Sequence, residues 1–449
     1  MKIDRVNREH WKSQYVIIGN PENRRIRLFQ EALGRAGYLP AIVIAYSQLL
    51  APSGRSREIL HDALLRCPED RSIVLRIDSF GESFDVEKRL IAYGDGHLAD
   101  GSEIAGDRGS RISAVSAMRL KEDVGRIRFP TQAFAGFQKL MCDIESIVLE
   151  MPNVYLHQMP RDIVTMFDKS RCHARMVGLG VPVAETLPNV EGFEHLVDRM
   201  ASVNWTRAFI KLAMGSSASG VIALYLDSRQ RIGRKSGQTI RAVTSMESCG
   251  TGVRRKFYNN LKLRVYHRVN EIRALIDYVC RERAHVEKWL PKATLGGRLF
   301  DLRVLVIAGK ACHVVARTSR SPLTNLHLGN RRGDLDSLRR LMSRAQWKCT
   351  MSVAEQAASA FPSSLYMGVD VLLKPGFRDP TILEVNAFGD LLPGVKCRGL
   401  STYEAEIASQ SRRQRGQSVS NNADSSVATR SIASSTFTDG MLIRTRSTP

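Results

Sequence analysis

The chain has 449 residues, which is enough for two or three domains with well-buried cores. With 43% hydrophobic and 25% charged residues, it has neither the composition of a disordered chain nor the long apolar runs of a membrane protein. The 66 Lys and Arg exceed the 45 Asp and Glu by 21, so the protein is expected to attract polyanions such as nucleotides or nucleic acid, although a solvated basic surface is the simpler explanation.

The cellular compartment is predicted from the N-terminus and from the cysteines. The segment MKIDRVNREHWKS is polar and has no apolar signal region, which predicts a cytoplasmic protein. The eight cysteines contain no CxxC pair, so neither a zinc ribbon nor a redox motif is expected. Reduced, mostly buried thiols are the expected state.

The N-terminal elements form a predicted β-α-β unit. Strands are expected at residues 15–18 and 41–46 around an amphipathic helix at about 22–35, and a third strand at 72–77 leads into the loop 78–82. The unit has no GxGxxG, so we expect a Rossmann-like domain without a dinucleotide site. Because ligands of such sheets lie at strand carboxyl ends, the 78–82 loop is a candidate for substrate contacts, and a plain turn capped by Asp78 is the alternative.

The remaining elements follow in order along the chain. Residues 132–178 are predicted to be mostly helical, and a domain boundary near residue 160 is compatible with this pattern. Strands are predicted at 208–212, 221–226, 285–290, 302–308, 312–317, 368–373 and 381–387, with helices at about 269–282, 334–345 and 353–360. Residues 410–449 are rich in Ser and Arg and are predicted to be a disordered tail.

A glycine loop, KLAMGSSASGV, occupies residues 211–221. Gly215 and Gly220 have Walker A spacing, but Val221 and Ile222 replace the Lys-Ser/Thr pair, so this is not a P-loop. Backbone N–H groups in such a loop can approach phosphate oxygens, with Lys211 adding a positive charge. A flexible hairpin tip is the alternative.

Acidic and basic residues cluster on the later strands. Asp301 and Arg303 are two apart and share a strand face. One interpretation is that Asp301 and Arg303 form cross-strand ion pairs. The other is that Arg303, with Arg317 and Arg320, forms a group of guanidinium side chains around a phosphate or carboxylate.

Three oxygen-bearing side chains lie on the last two strands. If these strands pair, Asp370 meets Glu384 and Asn386, a donor set that Mg²⁺ or Mn²⁺ prefers. A core cluster hydrogen-bonded to Arg or Lys is the alternative. Asp390, in the following loop, is expected either to contact a substrate amine or to cap the next segment.

Taken in order, these motifs resemble the ATP-grasp superfamily. The resemblance rests on Lys211, the glycine loop, Glu287-Lys-Trp-Leu290, Asp301-Leu-Arg303, Asn325-Leu-His327, Asp370 and Glu384-Val-Asn386. It spans about residues 160–400 and is nearest to the glutamate-ligase-type, ribosomal-protein-modifying branch. It implies an α/β (α+β) fold with a Rossmann-like pre-ATP-grasp domain at 1–130 and an ATP-grasp domain at 131–409. The latter would have a lid lobe at about 165–290 and a metal-binding lobe at about 291–409.

The resemblance also implies a role for each matching residue. ATP would be bound by Lys211, Gly215, Ser216, Ser217, Ser219, Gly220, Glu287, Lys288, Leu290, Asp301 and Asn325. Mg²⁺ or Mn²⁺ would be bound by Asp370, Glu384 and Asn386. Arg303 and Arg317 are the predicted catalytic residues, with Arg303 holding an acyl phosphate. Leu323 stands where the branch has an arginine, so Arg317 or Arg320 is expected to supply that charge.

The implied function is an ATP- and Mg²⁺-dependent carboxylate–amine ligase. Its partners would be a small-molecule or peptide carboxylate, activated as an acyl phosphate, and an amine. An ATP-grasp kinase or phosphotransferase is the alternative. A nucleic-acid-binding protein is less favoured, because no RNP, helix-turn-helix or finger pattern is present. No membrane partner is expected, and the sequence leaves open whether the protein forms a homo-oligomer.

Overall fold

The computed structural model describes residues 13–51, 55–68, 70–95, 109–215, 219–226 and 240–415. Its strands form one parallel and two antiparallel sheets, with helices packed against them, so the fold is α/β as predicted. The first sheet belongs to the N-terminal part of the chain, and the second and third follow it in sequence.

The first sheet has four parallel strands in the order β2-β1-β3-β4. Its strands are β1 (Ser13–Gly19), β2 (Ile42–Ala45), β3 (Ser72–Ile77) and β4 (Val154–Leu156). The helices of this region are α1 (Arg24–Arg35), α2 (Tyr46–Leu49), α3 (Ser56–Leu65), α4 (Phe84–Tyr93), α5 (Ala114–Met118) and α6 (Pro130–Leu149). Helix α1 begins after Asn23, whose side chain accepts a hydrogen bond from the Arg25 N–H, and it buries Ile26, Phe29 and Leu33.

Strand β4 pairs with β3 in the first sheet, although it lies beyond residue 130, where the resemblance implied the domain boundary, and close to residue 160, with which the helical pattern was compatible. Helix α6 precedes it and packs against α4. We therefore propose that the N-terminal unit ends near residue 160 rather than at 130.

The second sheet has the order β5-β10-β6-β7-β8-β9. Its strands are β5 (Thr186–Leu187), β6 (Arg207–Leu212), β7 (Val221–Leu226), β8 (Ile240–Cys249), β9 (Lys256–Tyr266) and β10 (Ala284–Lys288). The helices of this region are α7 (Pro160–Phe167), α8 (Lys169–Gly178), α9 (Phe193–Ser202) and α10 (Val269–Arg281). Strands β8 and β9 were not predicted. They lie within residues 228–274, a basic segment with twelve Lys and Arg and only two acidic residues.

The third sheet has the order β14-β13-β12-β15-β16, and β11 pairs with β12 beside it. Its strands are β11 (Thr294–Leu295), β12 (Arg298–Ile307), β13 (Lys310–Ser319), β14 (Arg331–Arg332), β15 (Tyr366–Lys374) and β16 (Arg378–Asn386). Helices α11 (Leu335–Leu341) and α12 (Arg344–Ser359) lie between β14 and β15 in the chain. Helix α12 contacts β12, β13, β15 and β16, so it covers one face of the sheet and leaves the other free to form a site.

A C-terminal helix, α13, covers residues 402–415. Its Tyr403 and Ile407 are buried with Tyr15 and Phe29 in the core of the first sheet. The prediction of disorder is therefore wrong for residues 410–415, because this helix has an apolar face that the N-terminal unit covers. Residues 416–449 lie outside the described residues.

Two general expectations concern membrane spans and cysteines. No helix in the described ranges is long and apolar enough to cross a membrane. All eight cysteines are free, as expected, but only Cys67, Cys172 and Cys280 are buried.

Candidate functional site

A first cleft of roughly 800 Å³, including the solvent at its mouth, lies between the second and third sheets. Most of the predicted site residues line it, from Lys211 at one sheet to Glu384 at the other. Its full lining is Lys169, Phe209, Lys211, Gly215, Ser219, Val221, Glu287, Lys288, Leu290, Lys292, Asp301, Arg317, Pro322, Leu323, Thr324, Asn325, Asp370, Leu372, Leu383 and Glu384.

Lys211 and Glu287 form an ion pair on adjacent strands of the second sheet. His285, opposite Lys211, lies 3.5 Å from the other Glu287 oxygen. Burial alone would raise the pKa of Glu287, but the Lys211 charge and the hydrogen bond from His285 outweigh burial and lower it to about 2. Burial also lowers the pKa of His285. Glu287 is therefore a fixed negative charge that orients Lys211 at the cleft wall.

The ends of the glycine loop approach each other closely. Gly220 has φ +68°, and a Cβ there would lie 2.4 Å from the Leu212 side chain. A Cβ on Gly215 would lie 2.7 Å from the Ser219 carbonyl oxygen. Both glycines are needed for the loop to turn back from β6 into β7. The predicted Ser216 and Ser217 lie outside the described residues.

Asp301 is the centre of a buried cationic cluster. Its carboxylate lies 2.7 Å from Arg317 Nε and 3.1 Å from Lys292 Nζ, and it accepts a hydrogen bond from Thr324. Lys292 Nζ also lies 2.8 Å from the Thr324 hydroxyl. Burial would raise the pKa of Asp301, but Arg317 and Lys292 lower it well below its usual range. Sequence reasoning missed Lys292 and Thr324, because both lie in segments between the predicted strands.

The remaining wall of the first cleft is largely apolar. Phe209, Val221, Leu290, Leu323 and Leu372 line it, opposite the charged groups. Phe209 in turn contacts Trp289, at 5.2 Å between ring centroids. Such a wall suits the face of a heterocyclic base, and Lys288 and Asn325, both predicted ligands, line the same cleft.

The predicted metal-binding residues meet as the sequence implied. Asp370 of β15 pairs directly with Glu384 of β16, and Gly368 pairs with Asn386. A β-bulge makes Leu383 the extra residue between Ile382 and Glu384, so both Leu383 and Glu384 face the cleft. Asn386 Nδ2 lies 3.5 Å from an Asp370 carboxylate oxygen.

Cationic side chains also contact this carboxylate pair. Arg303 binds Asp370 through both Nε and Nη2, Arg317 Nη2 lies 3.1 Å from Asp370, and Lys169 Nζ lies 3.0 Å from Glu384. Burial would raise the pKa of Asp370, but Arg303 and Arg317 lower it. The alternative interpretation, an acidic cluster paired with Arg and Lys, is therefore observed, and the role of these residues as metal ligands stays a prediction.

The donor chemistry fits a hard divalent cation. The part of the chain that the structure describes contains no group of three or more His, Cys, Asp or Glu side chains suited to a metal. A cation between β15 and β16 would be held by the carboxylates of Asp370 and Glu384 and by the Asn386 carboxamide. This set of oxygen ligands suits Mg²⁺, and phosphate and water oxygens would complete the coordination shell.

Lys169 is the main residue that sequence reasoning missed. Its ammonium group donates to the Gly215 carbonyl oxygen and pairs with Glu384, so it connects the glycine loop to the carboxylate pair. It is the first residue of α8, directly after Asp168, whose side chain accepts hydrogen bonds from Ser170 and Arg171. The sequence predicted this region only as part of a long helical segment, which concealed the position of Lys169 at a helix start.

A second, larger cleft of roughly 1680 Å³, again including open solvent, adjoins the first. It lies between the N-terminal unit and the third sheet. Its lining is Asn23, Arg25, Ser79, Phe80, Gly81, Glu82, Met166, Phe167, Lys169, Gly215, Arg303, Val315, Arg317, Asn325, Leu326, His327, Arg332, Glu384, Asn386, Ala387, Phe388, Gly389, Leu391, Leu392 and Pro393. Residues 79–82 thus line a cleft, and their contact with a substrate stays a prediction, whereas Asp78 is buried behind them and accepts a hydrogen bond from the Ser79 N–H.

The predicted arginines divide between the clefts. Arg303 lines the second cleft, and Arg317 lines both. Arg320 is exposed and lines neither cleft, so of the two arginines expected to supply the charge that Leu323 lacks, only Arg317 lies at the first cleft.

Asp390 contacts neither cleft, which overturns both roles expected for it. Its fully buried carboxylate lies 2.5 Å from Arg25 and 2.5 Å from Arg76, and Arg76 also pairs with Glu406 at 2.6 Å. Burial would raise the pKa of Asp390, but Arg25 and Arg76 lower it. Asp390 therefore anchors the loop 388–393 to the N-terminal unit, which positions Phe388 and Gly389 at the second cleft.

Comparisons with known proteins return similar solved structures only at low sequence identity. No protein-family model matches the chain, and no curated protein matches it. Similar solved structures include the ATP-grasp ligase PsnB complexed with a minimal precursor, which is 14% identical with a TM-score of 0.41 over 89% of this chain and 99% of that one. N5-carboxyaminoimidazole synthase from Aspergillus clavatus is 12% identical, with a TM-score of 0.44 over 89% of this chain and 77% of that one.

A third similar structure is D-alanine–D-alanine ligase from Bacillus anthracis. It is 10% identical, with a TM-score of 0.46 over 91% of this chain and 99% of that one. The first of these structures is named an ATP-grasp ligase, which is the superfamily that the sequence resembles. At such identities and TM-scores the likeness carries no argument about function, which has to be argued from the side chains of the two clefts.

Proposed function

We propose that this protein is an ATP-grasp ligase that uses ATP and Mg²⁺ to join a carboxylate to an amine through an acyl phosphate. The observation that supports this most is that the two clefts meet. Lys169, Gly215, Arg317, Asn325 and Glu384 line both of them. A group bound at the end of one cleft would therefore lie next to a group bound in the other.

The first cleft suits ATP. Its apolar wall, with Phe209 and Leu372, would receive adenine, and the predicted Glu287–Leu290 segment borders the same region. Lys211, Lys169 and the backbone of the glycine loop would then face the triphosphate. Asp301, held by Arg317 and Lys292, would accept hydrogen bonds from ribose hydroxyls.

Asp370, Glu384 and Asn386 would hold Mg²⁺ where the clefts meet. When bound, the ion offsets charge on the phosphate oxygens and orients the γ-phosphoryl group. Arg303 and Arg317 contact the Asp370 carboxylate, and Lys169 contacts that of Glu384. When a cation also binds these two carboxylates, the guanidinium and ammonium groups would be available to bind phosphate oxygens.

The reaction would proceed in two transfers. A substrate carboxylate oxygen attacks the γ-phosphorus, the bond to the bridging oxygen breaks, and ADP leaves. The amine nitrogen then attacks the acyl carbon, phosphate leaves, and the nitrogen loses a proton. Lys211 and Arg317 would offset the charge of the group in transfer, and Arg303, at the second cleft, would hold the acyl phosphate.

The second cleft favours a ligase over a kinase. Its volume of roughly 1680 Å³ is about twice that of the first, which leaves room for both an acid and an amine. The cytoplasmic location expected from the sequence remains a prediction, as does the absence of a nucleic-acid partner.

Hydroxylamine can take the place of the unidentified amine and so tests the proposal by trapping the activated acid. The protein would be incubated with ATP, Mg²⁺, hydroxylamine and a panel of carboxylic acids, and both ADP and hydroxamate would be measured. We expect at least one acid to yield equal amounts of both. Release of ADP that no acid stimulates would refute the ligase, whereas a phosphorylated product that persists in hydroxylamine would identify a kinase.

Two variants check the assignment of the site. Glu384→Ala is expected to abolish acid-dependent ADP release, while the exposed Glu194→Ala on α9 should retain it. Arg303→Ala is expected to lower hydroxamate yield per ADP, because a poorly held acyl phosphate is lost to water. Wild-type turnover and yield in Arg303→Ala would contradict its assignment.

A further inference from the structure

One cation of the second cleft has no acidic partner among the described residues. Four of its Arg and Lys side chains form ion pairs with carboxylates, namely Arg25 with Asp390, Lys169 with Glu384, Arg303 with Asp370 and Arg317 with Asp301. Arg332 pairs with no carboxylate in the described ranges, and its Nη1 instead donates to the Pro393 carbonyl oxygen at 2.8 Å. Its charge therefore remains available to a ligand.

The strand register places Arg332 beside the reacting region. In the β13–β14 pair, Arg332 lies directly opposite Arg317, so both side chains leave the same face of the sheet. Cross-strand partners are about 5 Å apart, and like charges at that distance destabilise a sheet unless an anion lies nearby. Asp301 and Asp370 neutralise Arg317, but the described part of the chain provides no equivalent for Arg332.

Arg332 also belongs to one cleft only. It lines the second cleft with His327 and Pro393 and is absent from the lining of the first. A role in binding the nucleotide is therefore not supported. Arg331, the other residue of β14, is equally exposed but faces the opposite side of the strand and lines neither cleft.

We propose that Arg332 binds a second anionic group of the substrate acid, so that the protein acts on compounds with two anionic groups. This inference rests on the proposed function. One carboxylate would be activated beside Asp370 and Glu384, while the second would be held by the Arg332 guanidinium, whose planar fork suits carboxylate and phosphate oxygens. The hydrogen bond to Pro393 fixes the guanidinium before the substrate arrives.

The substrate class is thus a short dicarboxylic acid, an acidic residue with a nearby carboxylate, or a carboxylic acid that bears a phosphate. Because Arg317 and Arg332 are direct neighbours, a linker of only a few bonds would span the two anionic groups. A monocarboxylic acid of equal length would leave Arg332 unpaired and would bind less tightly.

The test compares acids that differ only in the second group. Succinate, glutarate, adipate and glycyl-glutamate would each be assayed against the matching amide for hydroxamate formation, and 4-phosphonobutyrate would represent the phosphate arm. Wild type, Arg332→Gln and Arg331→Gln would be compared. We expect wild type to prefer the diacid at least tenfold in kcat/KM. Arg332→Gln should remove this preference by raising KM for the diacid, with little change in kcat or in KM for the amide.

The outcomes separate this inference from the proposed function. Equal use of a diacid and its amide by wild type, or equal effects of Arg332→Gln and Arg331→Gln, would overturn the role of Arg332 while leaving the ligase intact. A preference for 4-phosphonobutyrate over glutarate would support the inference and identify phosphate as the second group. If no acid stimulated ADP release, the proposed function would fail, and this inference with it.

Discussion

Replacing Lys169 by Met tests whether the glycine loop and the carboxylate pair act together. The ammonium group makes two contacts, with the Gly215 carbonyl oxygen and with Glu384 at 3.0 Å, and its side chain is only 10% exposed. Hydrogen bonds to charged groups contribute about 1.5–3 kcal/mol each, and only part of that changes during phosphoryl transfer. We therefore expect a loss of about 2–4 kcal/mol in transition-state stabilisation, which is roughly a 30- to 1,000-fold decrease in kcat/KM for ATP.

The assay is initial-rate ADP release with a saturating acid and varied ATP. Lys374→Met provides the control, because that lysine, at the end of β15, pairs with the exposed Asp379 of β16 at 3.2 Å, and exposed ion pairs contribute about 0–1 kcal/mol. It should remain within about threefold of wild type. A Lys169→Met enzyme as active as Lys374→Met would refute the assignment of Lys169 to the phosphate end of the first cleft.

Three further predictions concern stability and can be measured by chemical denaturation without ligands. Glu287→Gln should destabilise the protein by about 3 kcal/mol at pH 7. The folded pKa of Glu287, about 2, is below the unfolded value, so this difference should persist above about pH 4.5 and shrink as pH falls towards 2. The exposed Glu194→Gln should show no such trend. Gly220→Ala should lower the free energy of unfolding by about 1–3 kcal/mol more than Gly252→Ala. Both glycines have positive φ, but only at Gly220 would the new methyl group clash with a neighbour, the Leu212 side chain. Asp390→Ala should lower the free energy of unfolding by about 3–5 kcal/mol, because it removes the nearest carboxylate of Arg25 and one of the two carboxylates that pair closely with the buried Arg76, whereas the exposed Asp198→Ala should be nearly neutral.

Much of the fold followed from apolar periodicity. The strands Ser72–Ile77 and Val221–Leu226 have the predicted bounds, because their alternating or continuous apolar residues end at clear turn signals. Strands β8 and β9 were missed because their arginines and lysines conceal the apolar alternation. The pairing of β4 with β3 could not be predicted, because a three-residue strand carries too little pattern to distinguish it from a loop.

Within the site, residues on regular strands were predicted best. Asp370 and Glu384 were expected to meet if their strands paired, and the register places them directly opposite. Site residues outside regular strands were missed. Lys169 lies at the start of a helix, and Lys292 lies in an irregular segment between β10 and β11. Asp390 was misassigned because its partners, Arg25 and Arg76, are more than 300 residues away in sequence, and no local pattern indicates such a contact.

Transfer of oxygen from the acid to phosphate tests the central proposal most directly. An acid that stimulates ADP release would be labelled with ¹⁸O in its carboxylate and turned over with ATP, Mg²⁺ and hydroxylamine, and the phosphate would be analysed by mass spectrometry. An acyl phosphate predicts one ¹⁸O in each phosphate released, because the carboxylate oxygen that attacks ATP leaves with the phosphoryl group. Phosphate without ¹⁸O, formed while the hydroxamate accumulates, would contradict the proposed mechanism.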